Sequence, residues 1–315
     1  LWYTNEYERE NEYSRHSKEE RGRMMNDYLI RGIAYDGFVR AFAVRTTDTV
    51  REIQHRLDTW PIVSAAVGRT VSGAAMMGAM LKGNERLTIV VRGNGPAGQI
   101  VADANAKGEV RGYVHNPHIH YDEMNEKGKL DVRRVVGTEG SITVTKDLGL
   151  KEPYQGTSPI VSGEIGEDLT YYLTVSEQVP SAVGVGVLVN PDNTVKASGG
   201  FIIQLMPNTP EDIIAKLENT LSSIRPVSTM IDEGLSPEEI LHEILGTEFT
   251  LLDKHEVVFS CHCSLERINR ALISLGKEEL DAMIEEQGEA EITCHFCNER
   301  YHLNEEDLRN LRTNL

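Results

Sequence analysis

The sequence predicts an α+β protein: an N-terminal domain of mixed sheet and helix, a helical linker, and a small C-terminal domain carrying four cysteines. Three observations lead there. Short runs rich in Val, Ile, Thr and Tyr, bounded by Gly, Pro or Asn, recur as far as Met206. From Pro207 the apolar residues switch to helical spacing. All four cysteines of the 315-residue chain lie at Cys261 or beyond.

Residues 1–24 are polar, carry scattered tyrosines and hold no period, so a disordered leader or non-native extension is expected there, with Met24 or Met25 as a natural start. Residues 25–206 form the main domain. Leu87 to Arg92, Gly140 to Thr145, Leu169 to Ser176, Val183 to Val189 and Ala197 to Leu205 read as strands, and Asn190 to Asn193 as a turn. Trp60 to Lys82 reads as a long helix. Its many Gly, Ala and Ser residues allow close approach to a sheet, and Met76, Met77 and Met80 are expected in a core or a dimer contact.

Residues 207–256 form the linker. Thr209 is expected to cap a first helix, with Pro210 in its first position and Asp212 three residues after the cap. Ser236, Pro237 and Glu239 repeat that signal, and Gly246 ends the helix it starts. Helices this short are marginal alone, so they must dock, and the main domain is the available surface.

Residues 257–315 form the last domain, acidic from Phe259 onward with twelve Asp or Glu against six Lys or Arg. Two helical stripes end at Gly276 and Gly288. Ala290 to Thr293 and Arg300 to Leu303 read as short strands. So small a unit has little core, and a metal is a plausible source of its stability.

The net charge of -17 opposes binding to a phosphate backbone, and no basic stripe interleaved with aromatics is visible. No apolar run approaches the roughly 18 residues that span a bilayer. The charged N-terminus has no signal-peptide core, so the cytoplasm is the expected compartment. Cysteines there serve as metal ligands or redox thiols more often than as permanent disulfides.

Cys261 and Cys263 form one C-x-C pair, and Cys294 and Cys297 one C-x-x-C pair. Four soft thiolates suit one tetrahedral zinc ion. His262, His295 and His302 lie close by and are read as flanking residues, because four thiolates complete the shell. Sulfurs on one edge of such a tetrahedron sit roughly 3.8 Å apart, against about 2.05 Å in a disulfide. Modest movement would pair Cys261 with Cys263 and Cys294 with Cys297 once an oxidant converts a thiolate to sulfenic acid. Residue chemistry alone leaves a redox switch and a static zinc ribbon both open.

The two cysteine pairs, the second within the run CHFCNERY that starts at Cys294, resemble the bacterial 33 kDa heat shock protein family of redox-regulated holdase chaperones. Further runs match in order: DYLI at Asp27, GAMLKG at Gly78, IVADAN at Ile100, VGVGVLVNPDN at Val183 and GGFIIQLMP at Gly199. The resemblance spans Met25 to the end. It implies an inactive reduced form with zinc on Cys261, Cys263, Cys294 and Cys297. Peroxide or hypochlorous acid would then oxidise all four, release zinc and unfold the last domain and the linker. The active form would be a dimer that holds unfolding clients without ATP and later passes them to ATP-driven foldases. An enzyme is not implied.

Other features are set aside. Gly93 to Gly98 imitates the dinucleotide fingerprint, but a strand rather than a helix is expected after it. His115, His118 and His120 cluster beside Asn116 and Pro117 and are read as solvated. No nucleophile elbow, phosphate-binding loop or zinc-protease motif occurs. The alternative readings are a regulatory module with a static structural zinc, and an enzyme with an accessory zinc unit.

Overall fold

The computed structural model describes residues 27–121 and 130–313. The expected leader therefore lies outside the described residues. The chain begins with strands β1 (Tyr28–Ala34) and β2 (Val39–Arg45), then helices α1 (Thr47–Leu57) and α2 (Pro61–Gly78). Strands β3 (Arg86–Gly93), β4 (Gln99–Asn105) and β5 (Glu109–Val114) follow, then the short α3 (Arg133–Val136), β6 (Gly140–Asp147) and β7 (Tyr154–Pro159). Helix α4 (Gly166–Val175) leads to β8 (Ser181–Val189) and β9 (Val195–Leu205). Helices α5 (Glu211–Ser223), α6 (Val227–Asp232) and α7 (Pro237–Leu245) come next, then β10 (Thr250–Glu256) and β11 (Val258–Phe259). The chain closes with α8 (Leu265–Leu275), α9 (Lys277–Glu286), β12 (Glu289–Thr293), β13 (Arg300–Asn304) and α10 (Glu305–Thr313).

Two sheets and one helix make the frame. The first sheet runs β10-β1-β2-β9-β8 and the second β11-β5-β4-β3-β6-β7. Helix α2 lies between them, with every residue from Ile62 to Gly78 buried. Its small residues make that possible. A Cβ at Gly68 would sit 2.7 Å from Val187 of the first sheet, and one at Gly78 would sit 3.0 Å from Ala104 of the second. Met76 and Met77 are in this core, and Met80 packs partly buried against it. Side chains alternate across each strand. Phe42 and Val44 of β2 therefore face this core, while Val39, Ala41 and Ala43 face another on the opposite side of the sheet. There Leu217 of α5, Met230 and Ile231 of α6, and Ile240, Leu241, Ile244 and Leu245 of α7 cover the sheet.

Two expectations are corrected. Leu169 to Val175 lie within helix α4, with Ser176 at its C-cap, and do not form a strand. Its alternating Thr, Tyr and Leu fit both periods, and the buried Asp168 decides between them. Its carboxylate accepts hydrogen bonds from the backbone N–H groups of Val161, Ser162, Gly163 and Ile165 at 2.7–3.2 Å. That folds the preceding loop into a helix start, and Leu169, Tyr172 and Leu173 then share the buried side. Thr209 does not cap α5. Its hydroxyl donates to the carbonyls of Phe38 and Met206, and the helix starts at Glu211. Ser236 does cap α7 in a reciprocal box with Glu239.

Gly93 to Gly98 joins two antiparallel strands, β3 and β4, as the sequence leads one to expect. A Cβ at Gly93 would fall 1.9 Å from the carbonyl oxygen of Val136, so this glycine serves close backbone packing.

Asp27 joins the start of the fold to its end. Its carboxylate accepts the N–H of Thr49 in the first turn of α1 at 2.7 Å, and its carbonyl accepts the N–H of Val257 at 2.9 Å. Burial pushes its carboxyl up from 3.8 to about 6, against the Thr49 hydrogen bond that pulls it down. The folded chain then binds this proton more tightly than the unfolded chain does. That contribution to stability is whole below about pH 4 and is lost as the pH rises through 6. Asp27→Asn is expected to gain on the wild type by about 2 kcal/mol between pH 4 and pH 7, read from urea midpoints. A gap that stays constant with pH would refute this account.

Candidate metal centre

The C-terminal unit builds its site on two loops. Strand β11 pairs in parallel with β5, and the N–H of Ser260 donates to the carbonyl of Val110. Cys261 and Cys263 follow at once, before Ser264 caps α8. Cys294 and Cys297 lie in the turn between β12 and β13. The N–H of Asn298 donates to the Cys294 carbonyl at 2.8 Å, and Asn298 takes a left-handed φ of 60°. That turn aims both sulfurs the same way.

The four Sγ atoms all lie within 4.8 Å of one another. Cys261 is 3.7 Å from Cys294, and Cys263 is 3.3 Å from Cys297. These spacings bracket the edge of a zinc–thiolate tetrahedron, and the donors are soft, so the residues present fit a metal such as zinc. Burial raises the Cys261 thiol, but the backbone N–H of Cys263 and hydrogen bonds with the other three cysteines outweigh it and bring it down to about 7. Burial pushes Cys294 and Cys297 up. One sulfur thus gathers negative charge while its neighbours donate to it. The Tyr301 hydroxyl also donates, to Cys263 at 3.2 Å.

The histidines are not part of this group. His302 meets Glu289 at 2.9 Å. His262 meets Glu109 of β5 at 3.1 Å, and the His295 ring stacks on Tyr113 of β5 at 5.6 Å. Phe296 stands edge-on to Tyr113, with Arg111 3.9 Å over its ring. Arg111 also points to Cys261 Sγ at 3.7 Å and is held by two hydrogen bonds to Asp103. The residues beside the cysteines are therefore docking residues for the outward side of β5. Sequence reasoning missed Arg111, Tyr113 and Asp103. A signal existed: Glu109, Arg111 and Tyr113 alternate with the buried Val110, Gly112 and Val114, which marks a polar side with an aromatic. Elsewhere His118 pairs with Asp58 and packs on Trp60, and no metal-compatible group forms there among the described residues.

Fold and site together define an α+β protein with a four-thiol centre on a small C-terminal unit. Residues 27–304 match the family model described as Hsp33 protein. The chain is 60% identical over 286 residues to the 33 kDa chaperonin of Bacillus velezensis, covering 91% of this chain and 98% of that one. The 33 kDa chaperonin of Bacillus subtilis is 59% identical over 286 residues, with the same coverage. The crystal structure of the 33 kDa chaperonin, a heat shock protein 33 homolog, from Thermotoga maritima superposes with a TM-score of 0.85 at 37% identity, covering 92% of this chain and 98% of that one. The chain belongs to the Hsp33 family, and is thus a chaperone and not an enzyme.

The docking contacts make a prediction. Replacing both Arg111 and Tyr113 by Ala removes the stacking and cation contacts that hold the cysteine loops to β5. Amide exchange at Val258 and Ser260, whose N–H groups donate to the carbonyls of Gly108 and Val110, should quicken about tenfold or more, which is about 1.4 kcal/mol. Exchange in β3 should not change. Unaltered exchange at β11 would show that its pairing does not depend on those side chains.

Proposed function

We propose that this chaperone is a redox-regulated, ATP-independent holdase of the cytoplasm, inactive when reduced and bound to zinc. One observation carries the reading: four sulfurs converge from two loops of a unit whose own buried core is five leucines, Leu272, Leu280, Leu303, Leu308 and Leu311. Cys261, Cys263, Cys294 and Cys297 are the ligands. When bound, zinc supplies a fixed tetrahedral junction for their thiolates, and so the folding free energy of the unit.

Oxidation removes that junction. A thiolate attacks peroxide, breaking its O–O bond, and leaves as a sulfenic acid with one hydroxide released. A second thiolate attacks that sulfur and displaces the other oxygen as hydroxide. Two protons complete two waters, and each disulfide consumes one peroxide. All sulfurs lie within one another's reach, so distance does not select partners, and the shortest separations join the two loops. Chain connectivity favours Cys261 with Cys263 and Cys294 with Cys297, because those closures leave the loops free to part.

In this reading residues 257–315 are the switch and residues 207–256 the linker that it controls. Residues 25–206 hold clients and form the dimer of the active state, and clients pass later to ATP-dependent foldases. The linker helices carry Ile240, Leu241, Ile244 and Leu245 buried on the first sheet, a surface that unfolding proteins would bind once it is uncovered. No helix among the described residues is long and apolar enough to cross a membrane. Neither nucleic acid nor a membrane is a partner in this proposal.

The reduced protein is expected to hold one zinc per chain and to leave a thermally unfolding client unprotected. After peroxide it should show four fewer free thiols, no zinc, increased binding of a hydrophobic dye, and suppression of client aggregation. Oxidised protein that keeps its zinc, or gives no protection, would support a static zinc module instead. Replacing Cys297 by Ser should lower zinc affinity by 10-fold or more, on the order of 1.4 kcal/mol, in a chelator competition. Unchanged affinity would remove Cys297 from the ligand set.

A further inference from the structure

The chain has 49 Asp and Glu against 32 Lys and Arg, yet one cleft carries the opposite sign. A cavity of about 630 Å³ lies between the β4–β5 hairpin and the start of α8. Arg86, Lys107 and Arg111 line its sheet wall, and His262, Arg267 and Arg270 line the wall from the C-terminal unit.

Its two carboxylates are already engaged. Asp103 accepts two hydrogen bonds from Arg111 and one from the Thr88 hydroxyl. Glu109 accepts from Asn105 at 2.7 Å and meets His262. Lys107 is presented by a tight turn, in which the Asn105 side chain accepts the backbone N–H groups of Lys107 and Glu109. Arg267 hydrogen-bonds to the carbonyl of His262, not to an acid, and Arg270 has only the exposed Glu266 one turn before it. Asp103 and Glu109 are paired with Arg111 and His262 of the same cleft, which leaves Arg86 and Lys107 on the sheet wall and Arg267 and Arg270 on the other wall to face the space.

We propose that this cleft binds an oligophosphate, a chain of two or more phosphoryl groups either free or carried by a nucleotide, and that the ligand bridges the sheets to the C-terminal unit. Exposed charge pairs are individually weak and screened by salt, so a single small anion gains little here. A ligand with several linked charges reaches both walls at once, and phosphoryl oxygens fit the forked donors of arginine. A long nucleic acid would leave the cleft and meet the acidic remainder of the surface. Because the ligand touches both bodies, it favours their docked arrangement. Binding itself does not depend on the redox reading. Any effect on the switch does.

The test uses the reduced full-length protein. Sodium tripolyphosphate, ATP and sodium chloride of equal ionic strength are titrated in a calorimeter, into the wild type, the Lys107→Glu/Arg270→Glu double variant and Lys107→Arg. Both residues are exposed, and near-ultraviolet circular dichroism verifies that the variants are folded. The expected result is saturable, one-to-one binding of tripolyphosphate that weakens at least tenfold in the double variant, persists in Lys107→Arg, and falls with added salt. Equal affinity for ATP would identify the phosphate chain as the part recognised and supports the proposal. Binding of ATP without tripolyphosphate would overturn it. Heat that is unsaturable, or unchanged in the double variant, would be metal chelation or diffuse screening and would overturn it too. As a second measurement, tripolyphosphate should slow protease cleavage between residues 257 and 264 in the wild type and not in the double variant. Equal cleavage with and without it would overturn the bridging.

Discussion

Four sulfur atoms closing on one point give the C-terminal unit its shape. Among the described residues its helices α8, α9 and α10 and the β12–β13 hairpin pack a core of five buried leucines, rimmed by partly buried side chains such as Ile268, Met283 and Ile292. So few side chains do not offset the ordering of a segment this long. A metal held by all four cysteines would make up the difference, because it would join the chain before α8 to the hairpin that follows α9. Remove that junction and the hairpin and the helices have little reason to stay together.

The junction matters beyond its own unit because of where it is placed. Strand β11 ends two residues before Cys261, and its partner β5 presents Arg111 and Tyr113 to the rings beside the cysteines. On its other side β5 meets the central helix, where a Cβ at Gly112 would lie 2.7 Å from Val71. The contacts run without a gap from a sulfur atom through Arg111 and Asp103 into the sheet, and from the sheet to α2. A rigid, fully buried helix is a good anchor for such a chain of contacts, since close-packed interiors give little. Upstream, β10 pairs with β1, so the last unit is tied to both sheets at once.

The cysteine centre was legible from sequence because ligand identity and spacing are local facts. Helix α7 was legible because a cap, a stripe and a terminal glycine fall within a dozen residues, and α8 because its apolar stripe ends at Gly276. What escaped was decided by distant partners. Helix α4 reads as a strand until Asp168 is seen to gather the backbone of the loop before it. Strand β10 escaped because it is an edge strand with Leu251 and Leu252 exposed, so its residues show no buried side to alternate. Arg111 and Tyr113 were invisible because only the register of β5 beside β11 brings them to Cys261 and His295, 150 and 182 residues away in sequence.

Strand β10 also bears on how the proposed release would reach the linker helices. It is the outer strand of the first sheet, held on one side by β1 and continued directly into β11. Phe249, just before it, lies against Gly32, where a Cβ would be 2.3 Å from the ring, and a bulge between Arg31 and Gly32 adjusts the pairing there. Helix α7 meets the same ring through His242. An edge strand with one neighbour is the least protected part of a sheet, and fraying begins where pairing is single. With β11 docked, β10 is pinned at both ends. With β11 released, its remaining strand partner is β1, and Phe249 and α7, which is tied to β10 by the Lys254–Glu238 pair, can leave with it. The residues uncovered would be Ile240, Leu241, Ile244 and Leu245, together with the alanine-rich side of β2 beneath them. That surface is broad, aliphatic and without buried charge, so it would favour extended apolar segments of many sequences over any one of them.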